Sequence, residues 1–388
     1  GGFSFIPQLL HLGNPDKEPF AEYWLGAHDK APSTLSVEGK KTVPLNELIS
    51  SDPEKYLGSK TAGAFGRLPF LFKVLDVREM LSIQVHPDKA EAEKGFAREN
   101  AAGIPLDAPD RNYKDDNHKP EMMVALSEFY LLHGFLPETP LREMLNNVPE
   151  LRSLYTYFDK KGYQALYAHV MNMPRFRVKE ILGPLLTRVL PLYKQGKLSK
   201  TTPDFWAARA VDSGMTTIGD PDKGIFSIYF FNLVRLNTGE GIFQGAGMPH
   251  AYLEGQNVEL MANSDNVLRG GLTPKHVDVD ELLKHTRFEG LEPKVLKGHP
   301  DGKEKNYPAP VNDFMLTKIE INNGESFDNQ ASAPTILLLI SGGLSVTGAG
   351  ELTLKQGESL FILPGEAYKL TAMDNTLIYS ASVPVHTL

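Results

Sequence analysis

The stretch LSIQVHPDKAEAEKGF, residues 81–96, decides how the chain is read. An apolar, strand-like run passes straight into Gln84 and His86 and stops at Pro87. Residues two apart in a strand share a face, so an amide oxygen and an imidazole stand side by side at the mouth of a buried strand. Polar groups placed there need a partner, and a metal ion is one. Immediately afterwards KAEAEKGFAREN, 89–100, reads as a short charged helix.

Working outward, residues 1–136 read mostly as strands and loops. LPFLFKVLDV (68–77) and EMLSIQVHP (79–87) are β-rich runs bounded by turn residues, and EMMVALSEFYLLHGF (121–135) begins as a buried strand. The character changes near 137. Thr139 is placed as an N-cap with Pro140 at the first helical position. Val178, Ile181, Leu182, Leu185, Leu186 and Val189 recur at helical spacing within 178–198, and PDFWAARAVDSG (203–214) fits another helix. β character returns over 224–253, VDVDELLKHTRF (277–288) reads as a short helix, and from about 312 short strands alternate with glycine-containing turns, as in a sandwich or jelly roll. The fold class expected is mainly β with a helical insertion. Its expected division is 1–136 with 223–290, a helical block at 137–222, and a second β unit at 291–388.

Composition narrows the function. The chain has 388 residues, 41% hydrophobic and 23% charged, with a net charge of −8 and no cysteine. An acidic balance argues against non-specific nucleic-acid binding, which needs a basic footprint, yet leaves room for an anionic small molecule at a local Lys/Arg cluster. Thiolate metal sites, disulfides and cysteine nucleophiles are excluded. No apolar run approaches the length of a membrane span and no signal peptide is evident, so a cytoplasmic location without membrane partners is expected.

Four places carry chemistry-bearing residues. They are Gln84 and His86; NHKPEM (117–122), with His118, Lys119 and Glu121; GMPHAYLEG (247–255), with His250; and NSDNVLRGGLTPKHVD (263–278), with Asp265, Arg269 and Lys275. Imidazole, carboxylate and amide oxygen suit Zn²⁺ or a similar divalent ion. Spacing alone leaves each residue its bland alternative: a hydrogen-bonded loop histidine for His250, a solvated turn for Arg269 and Lys275, a structural partner of Glu121 for His118.

PFAEYWLGAHDKAPS (19–33), LSIQVHPDK (81–89), NHKPEM (117–122), GMPHAYL (247–253) and VELMANSDNVLRGGLTPKHVD (258–278) together resemble the type I mannose-6-phosphate isomerases. They occur in that family's order, and the later β region is similar to its C-terminal cupin-like domain. The resemblance implies two cupin-like jelly rolls plus an α-helical domain, the first roll being catalytic and the last without metal. It implies one zinc ion per chain on Gln84, His86, Glu121 and His250, with Arg269, His118, Lys119 and Asp265 as catalytic residues and Lys275 with Arg269 toward the phosphate. It implies a zinc-dependent aldose–ketose isomerase that interconverts mannose 6-phosphate and fructose 6-phosphate through a cis-enediol. A monomer and a sugar-phosphate ligand are the expected state and partner. The family usually opens with an aromatic-x-Trp-Gly segment, and this chain begins at its glycine end. From about 312 onward the one histidine is His386. Two other readings are weighed: another metal-dependent cupin enzyme, such as an Fe²⁺ oxygenase using His86, Glu121 and His250, and a non-catalytic sugar-phosphate sensor.

Overall fold

The computed structural model describes residues 1–37 and 41–384; His386 lies outside them. A nine-stranded sheet is organised around one long strand, His250–Ala262. Its first part pairs with Gln84–Val85 and Phe129–Phe135, its second with Phe70–Val77 and Glu121–Ala125, all antiparallel. The register shifts between Tyr252 and Glu254. At Gly255, with φ +129°, a Cβ would come within 2.6 Å of the Phe129 ring, so the strand bends where only glycine fits.

Alternation along these strands sends side chains into different compartments. Ile83 and Val85 are fully buried in a core shared with the helices of the 138–212 region, together with Leu132, Ala251 and Leu253. Gln84 and His86 therefore face the opposite way. Farther along, Phe70, Phe72, Val74, Met122, Val124, Val258 and Leu260 pack against Leu316, Ile336, Leu338 and Tyr379 of the C-terminal strands. That leaves Lys73, Glu121 and Glu259 on the inner face of the sheet, beside an apolar cluster of Leu75, Met123, Phe129 and Tyr252.

The C-terminal part is a two-sheet sandwich. Six antiparallel strands run in the order His299–Asp301, Glu304–Tyr307, Met315–Ile321, Thr376–Ser382, Thr335–Ser341, Ser359–Ile362; four run Ser326–Gln330, Ala367–Ala372, Gly343–Thr347, Glu351–Lys355. Ile319, Leu337, Leu339, Leu344, Leu370 and Ile378 fill the space between them. The expected fold class, mainly β with helices inserted, holds.

Several local expectations are corrected. Residues 1–136 also carry helices at Phe5–Leu9, Leu45–Ser51 and Pro53–Phe65, the last with Asp52 accepting from the Lys55 N–H and Gly66 closing it in the left-handed conformation. GIFSIYF, assigned to β, forms the helix Gly224–Phe230; all seven residues are buried, and an apolar run buried on every side has no periodicity to separate helix from strand. The helix expected to start after Thr139 begins at Glu138 behind Pro137, so Thr139 lies in the first turn. The expected 79–87 strand shortens to Gln84–Val85, because the Leu81 and Ile83 N–H groups bond the Tyr252 and Gly271 carbonyls outside a regular ladder.

Candidate metal centre and active site

His86, Glu121 and His250 converge from three separate segments, and one ligand atom from each lies within 4.8 Å of the others. His86 Nε2 is 3.3 Å from Glu121 Oε1, and His250 Nε2 is 3.2 Å from Glu121 Oε2. All three residues are buried, His86 completely. The tautomers follow from the other ring nitrogens. His86 Nδ1–H donates to the Asn266 carbonyl at 2.8 Å, and His250 Nδ1–H donates to the Met248 carbonyl at 2.9 Å. Both Nε2 lone pairs are thereby aimed at the carboxylate, the arrangement in which histidine binds a metal. His86 Nε2 is buried without a hydrogen-bond partner among the described residues, a costly state unless an ion takes the lone pair. The residues present therefore fit a divalent cation.

Electrostatics agree with a neutral His86 imidazole beside an anionic Glu121 carboxylate. Burial holds the His86 imidazole down at about 4, outweighing the upward pull of Glu121. Burial pushes the Glu121 carboxyl up, but Lys119, His86 and His250 together hold it well below the usual carboxylate range. Lys119 Nζ lies 3.3 Å from Glu121 Oε1 and is nearly as buried.

Gln84 reaches the site through register. It sits directly opposite His250 on one side and opposite Arg269 on the other. Directly opposed residues share a face, so His250, Gln84 and Arg269 form a row across three strands. Arg269 is half-buried, burial alone pulls its guanidinium down, and no carboxylate pairs with it among the described residues.

The other sequence candidates lie apart from this group. His118 alternates with Lys119 and so points the other way, its Nε2 3.0 Å from each carboxylate oxygen of Asp313. His118 therefore contacts Asp313 and not Glu121 among the described residues. Asp265 is taken up by His28 Nε2 at 3.3 Å and Lys30 Nζ at 2.5 Å, and these partners, His28 first, hold its carboxyl well below the usual range. His28, which lies inside the 19–33 stretch, is thus the anchor of Asp265. Lys275 is exposed and lines a separate cleft of about 600 Å³ with Arg175, Thr216 and Lys223.

The structure adds residues that sequence reading passed over. Glu259 stands opposite Lys73 and Met123 in the sheet. It accepts the Tyr252 hydroxyl at 2.8 Å and lies 3.6 Å from Lys73 Nζ. Burial first, then the nearby Glu121, push the Glu259 carboxyl up, while Lys73 and Lys119 oppose them. Burial pulls Lys73 down, but Glu259, Glu22 and Glu121 outweigh it and raise it. Trp24 extends the row, with Lys73 Nζ 4.9 Å from its ring centre and the His28 ring at 5.1 Å. One signal was present: Lys73 and Glu259 are single charges inside the otherwise apolar runs FLFKVL and VELMA, and charges are rarely buried unpaired.

A two-histidine, one-carboxylate group buried on the inner face of a β-sheet defines a class, that of β-scaffold proteins with a built divalent-cation site. Known proteins narrow the class. Residues 1–138 match the model of the phosphomannose isomerase type I catalytic domain. The mannose-6-phosphate isomerase of Escherichia coli K12 is 38% identical over 374 residues, 95% of this chain and 92% of that one. That of Macaca fascicularis is 34% identical over 97% of this chain and 93% of its own. A solved phosphomannose isomerase variant from Salmonella typhimurium superposes with a TM-score of 0.88 at 34% identity, covering 99% of this chain and 96% of that chain. A solved mannose 6-phosphate isomerase bound with zinc and yttrium gives 0.84 at 33% identity, with the same coverage. The chain belongs to the type I phosphomannose isomerases, and its enzyme class is that of an aldose–ketose isomerase acting on mannose 6-phosphate.

Proposed function

We propose that the chain interconverts D-mannose 6-phosphate and D-fructose 6-phosphate through a cis-enediol, with one zinc ion held by His86, Glu121, His250 and Gln84. The observation that carries this reading is the pair of imidazole Nε2 atoms freed by backbone acceptors and turned onto one buried carboxylate. Two nitrogens, a carboxylate oxygen and an amide oxygen are a donor set that zinc takes readily. The structure of a relative bound with zinc supports the metal's identity. When bound, the ion supplies Lewis acidity toward a sugar oxygen.

The chain's own groups supply the rest. Isomerisation removes the proton on C2 and returns it on C1, while a second proton shifts between O1 and O2. Lys119 and Glu259 are the residues proposed for these transfers. Lys119 touches Glu121 directly, and Glu259 is a buried carboxyl whose burial pushes it up, the direction in which enzymes tune a general acid or base. Tyr252 and Lys73 orient Glu259. Arg269, with no carboxylate partner, is free to stabilise developing negative charge or the phosphate; Lys275, which the resemblance assigns to the phosphate, lines the separate cleft and has no role at the metal group in this reading. Asp265 holds the Asn263–Arg269 loop against His28 and Lys30.

In this reading residues 1–136 and 223–290 form the catalytic cupin-like unit, 137–222 the helical insertion, and 291–388 a cupin-like unit without metal. Among the described residues no helix is long and apolar enough to cross a membrane, which is compatible with a cytoplasmic monomer.

Isomerisation of mannose 6-phosphate tests the proposal on protein as purified, after chelation, and after zinc is returned. Activity that vanishes with chelator and returns with zinc is expected. Full activity in metal-free protein, or no turnover by zinc-loaded protein, overturns it.

A further inference from the structure

The C-terminal sandwich supplies none of the residues converging on Glu121, yet one of its approach residues reaches toward the site. We propose that Asp313 is a positioning residue for the isomerase: through His118 it fixes the short segment that aims Lys119 and Glu121. This rests on the reading of Glu121 as a metal ligand and of Lys119 as a group facing substrate.

The contact is built rather than incidental. Asp313 is 6% exposed, and both its oxygens lie 3.0 Å from His118 Nε2. Its ion-pair partner among the described residues is that histidine alone. Asp313 is itself held in place, because its neighbour Phe314 is 1% exposed in the core shared by the two β units.

The residues just before the strand, 117–120, are otherwise tied to the 262–266 segment, while Glu121 is already paired on both sides in the sheet, with Met261 and Gln244. Asn117 donates to the Asn263 carbonyl and accepts from Asn266 and Ser264, and the Pro120 carbonyl accepts from the Ala262 N–H. Those bonds all run to the 262–266 loop. Among the described residues, His118 is the one member of 117–121 with a hydrogen bond to the C-terminal side.

Alternation turns that bond into a lever. His118 and Pro120 face one way, Lys119 and Glu121 the other. A cavity of about 790 Å³, lined by Phe65, Arg67, Phe243, Pro310 and Asn312, adjoins His118. The imidazole therefore has room for other rotamers, and its bond to Asp313 selects one. Freeing the ring would loosen residues 118–120, which carry Lys119 and lead into the paired Glu121, and small errors of position at a site such as this are felt in rate and in metal affinity.

The test uses the full chain carrying Asp313→Ala, Asp313→Asn, His118→Ala and the double variant Asp313→Ala/His118→Ala. Zinc affinity is read by competition with a chelating dye, and kcat and KM by isomerisation. Asp313→Ala is expected to weaken zinc about tenfold and to lower kcat with KM little changed. Asp313→Asn, whose amide oxygen still accepts a hydrogen bond, is expected to recover most of both. In the His118→Ala background, Asp313→Ala is expected to add less than a twofold change.

Wild-type-like zinc affinity and kcat in Asp313→Ala would overturn the proposal, as would full additivity with His118→Ala. Equal losses in the Ala and Asn variants alongside an equal fall in melting temperature would reduce Asp313 to a stability residue and overturn it too. A wild-type protein that binds zinc but does not isomerise mannose 6-phosphate sinks the functional reading instead, while the zinc data still judge Asp313.

Discussion

The Lys119 ammonium lies 3.3 Å from the Glu121 carboxylate, and neither side chain is more than about a tenth exposed. Two residues apart on an extended segment, they share one face. A buried carboxylate this close to a cation keeps its charge, and the cation is held in one place rather than swinging in solvent.

Lys119→Met should separate these two functions. The thioether side chain fills similar space without the charge. If Lys119 moves a proton, kcat falls by about 10²–10⁴-fold, the usual worth of a positioned acid or base, while zinc content stays near one per chain. Steady-state kinetics with metal analysis decides. Loss of zinc in step with activity would make Lys119 a support for Glu121 and nothing more.

Glu121→Gln keeps the shape of the side chain and removes its charge. The two freed Nε2 atoms would then face a neutral amide, whose NH₂ can donate to one of them. Zinc affinity should fall by more than the ~10–100-fold typical of losing an outer partner of a ligand, as read by chelator competition. Retention of wild-type affinity and rate would remove Glu121 from the ligand set.

How much of this was legible beforehand follows from the physics of each feature. The Gln84–His86 pair was readable because strand alternation is local, and Ile83 and Val85 do bury on the other face. The helix Arg175–Lys194 was readable because its apolar positions recur at helical spacing despite Pro184 and Pro191. Gly224–Phe230 was not, since a segment buried all round has no polar face to mark its period. Family motifs drew His118, Lys119 and Glu121 together by sequence neighbourhood. Alternation then sends His118 to Asp313, 195 residues away. A partner at that separation leaves no trace in a single sequence. Glu259 and Lys73 became visible as a pair only when two distant strands were set side by side.

Asn266 never touches the candidate metal group with its side chain, yet it determines where His86 points. Its carbonyl receives His86 Nδ1–H, while its amide side chain accepts from the Lys114 N–H at 2.7 Å and donates to the Asp115 and Asn117 carbonyls at 2.8 and 2.9 Å. Asn266→Ala should leave the carbonyl present but unanchored. Zinc affinity is expected to drop about 10–100-fold, and ¹⁵N spectra of His86 should show a mixture of tautomers in place of one. A single unchanged tautomer with wild-type affinity would mean that backbone packing alone fixes the acceptor.

His285 gives a pH prediction outside the candidate metal group. Its Nε2 is 2.8 Å from the Tyr113 hydroxyl and 3.2 Å from Glu281, on the helix Val279–His285 that packs beside the one beginning at Lys89. Burial, assisted by Lys284, holds its imidazole below the usual value, against the pull of Glu281 and Glu91. The unfolded chain therefore takes up the proton before the folded one does. The resulting stability is fully present above the ordinary histidine pKa, about 6.5, and is lost as pH falls from there toward the depressed folded value. One such group steepens the fall by at most ~1.4 kcal/mol per pH unit. Denaturant unfolding of wild type and His285→Gln between pH 7.5 and 5 measures it, with every other titrating group common to both proteins. The variant should show the shallower decline across that window. Parallel curves would mean that His285 is as easily protonated folded as unfolded, and that the contact with Glu281 offsets its burial.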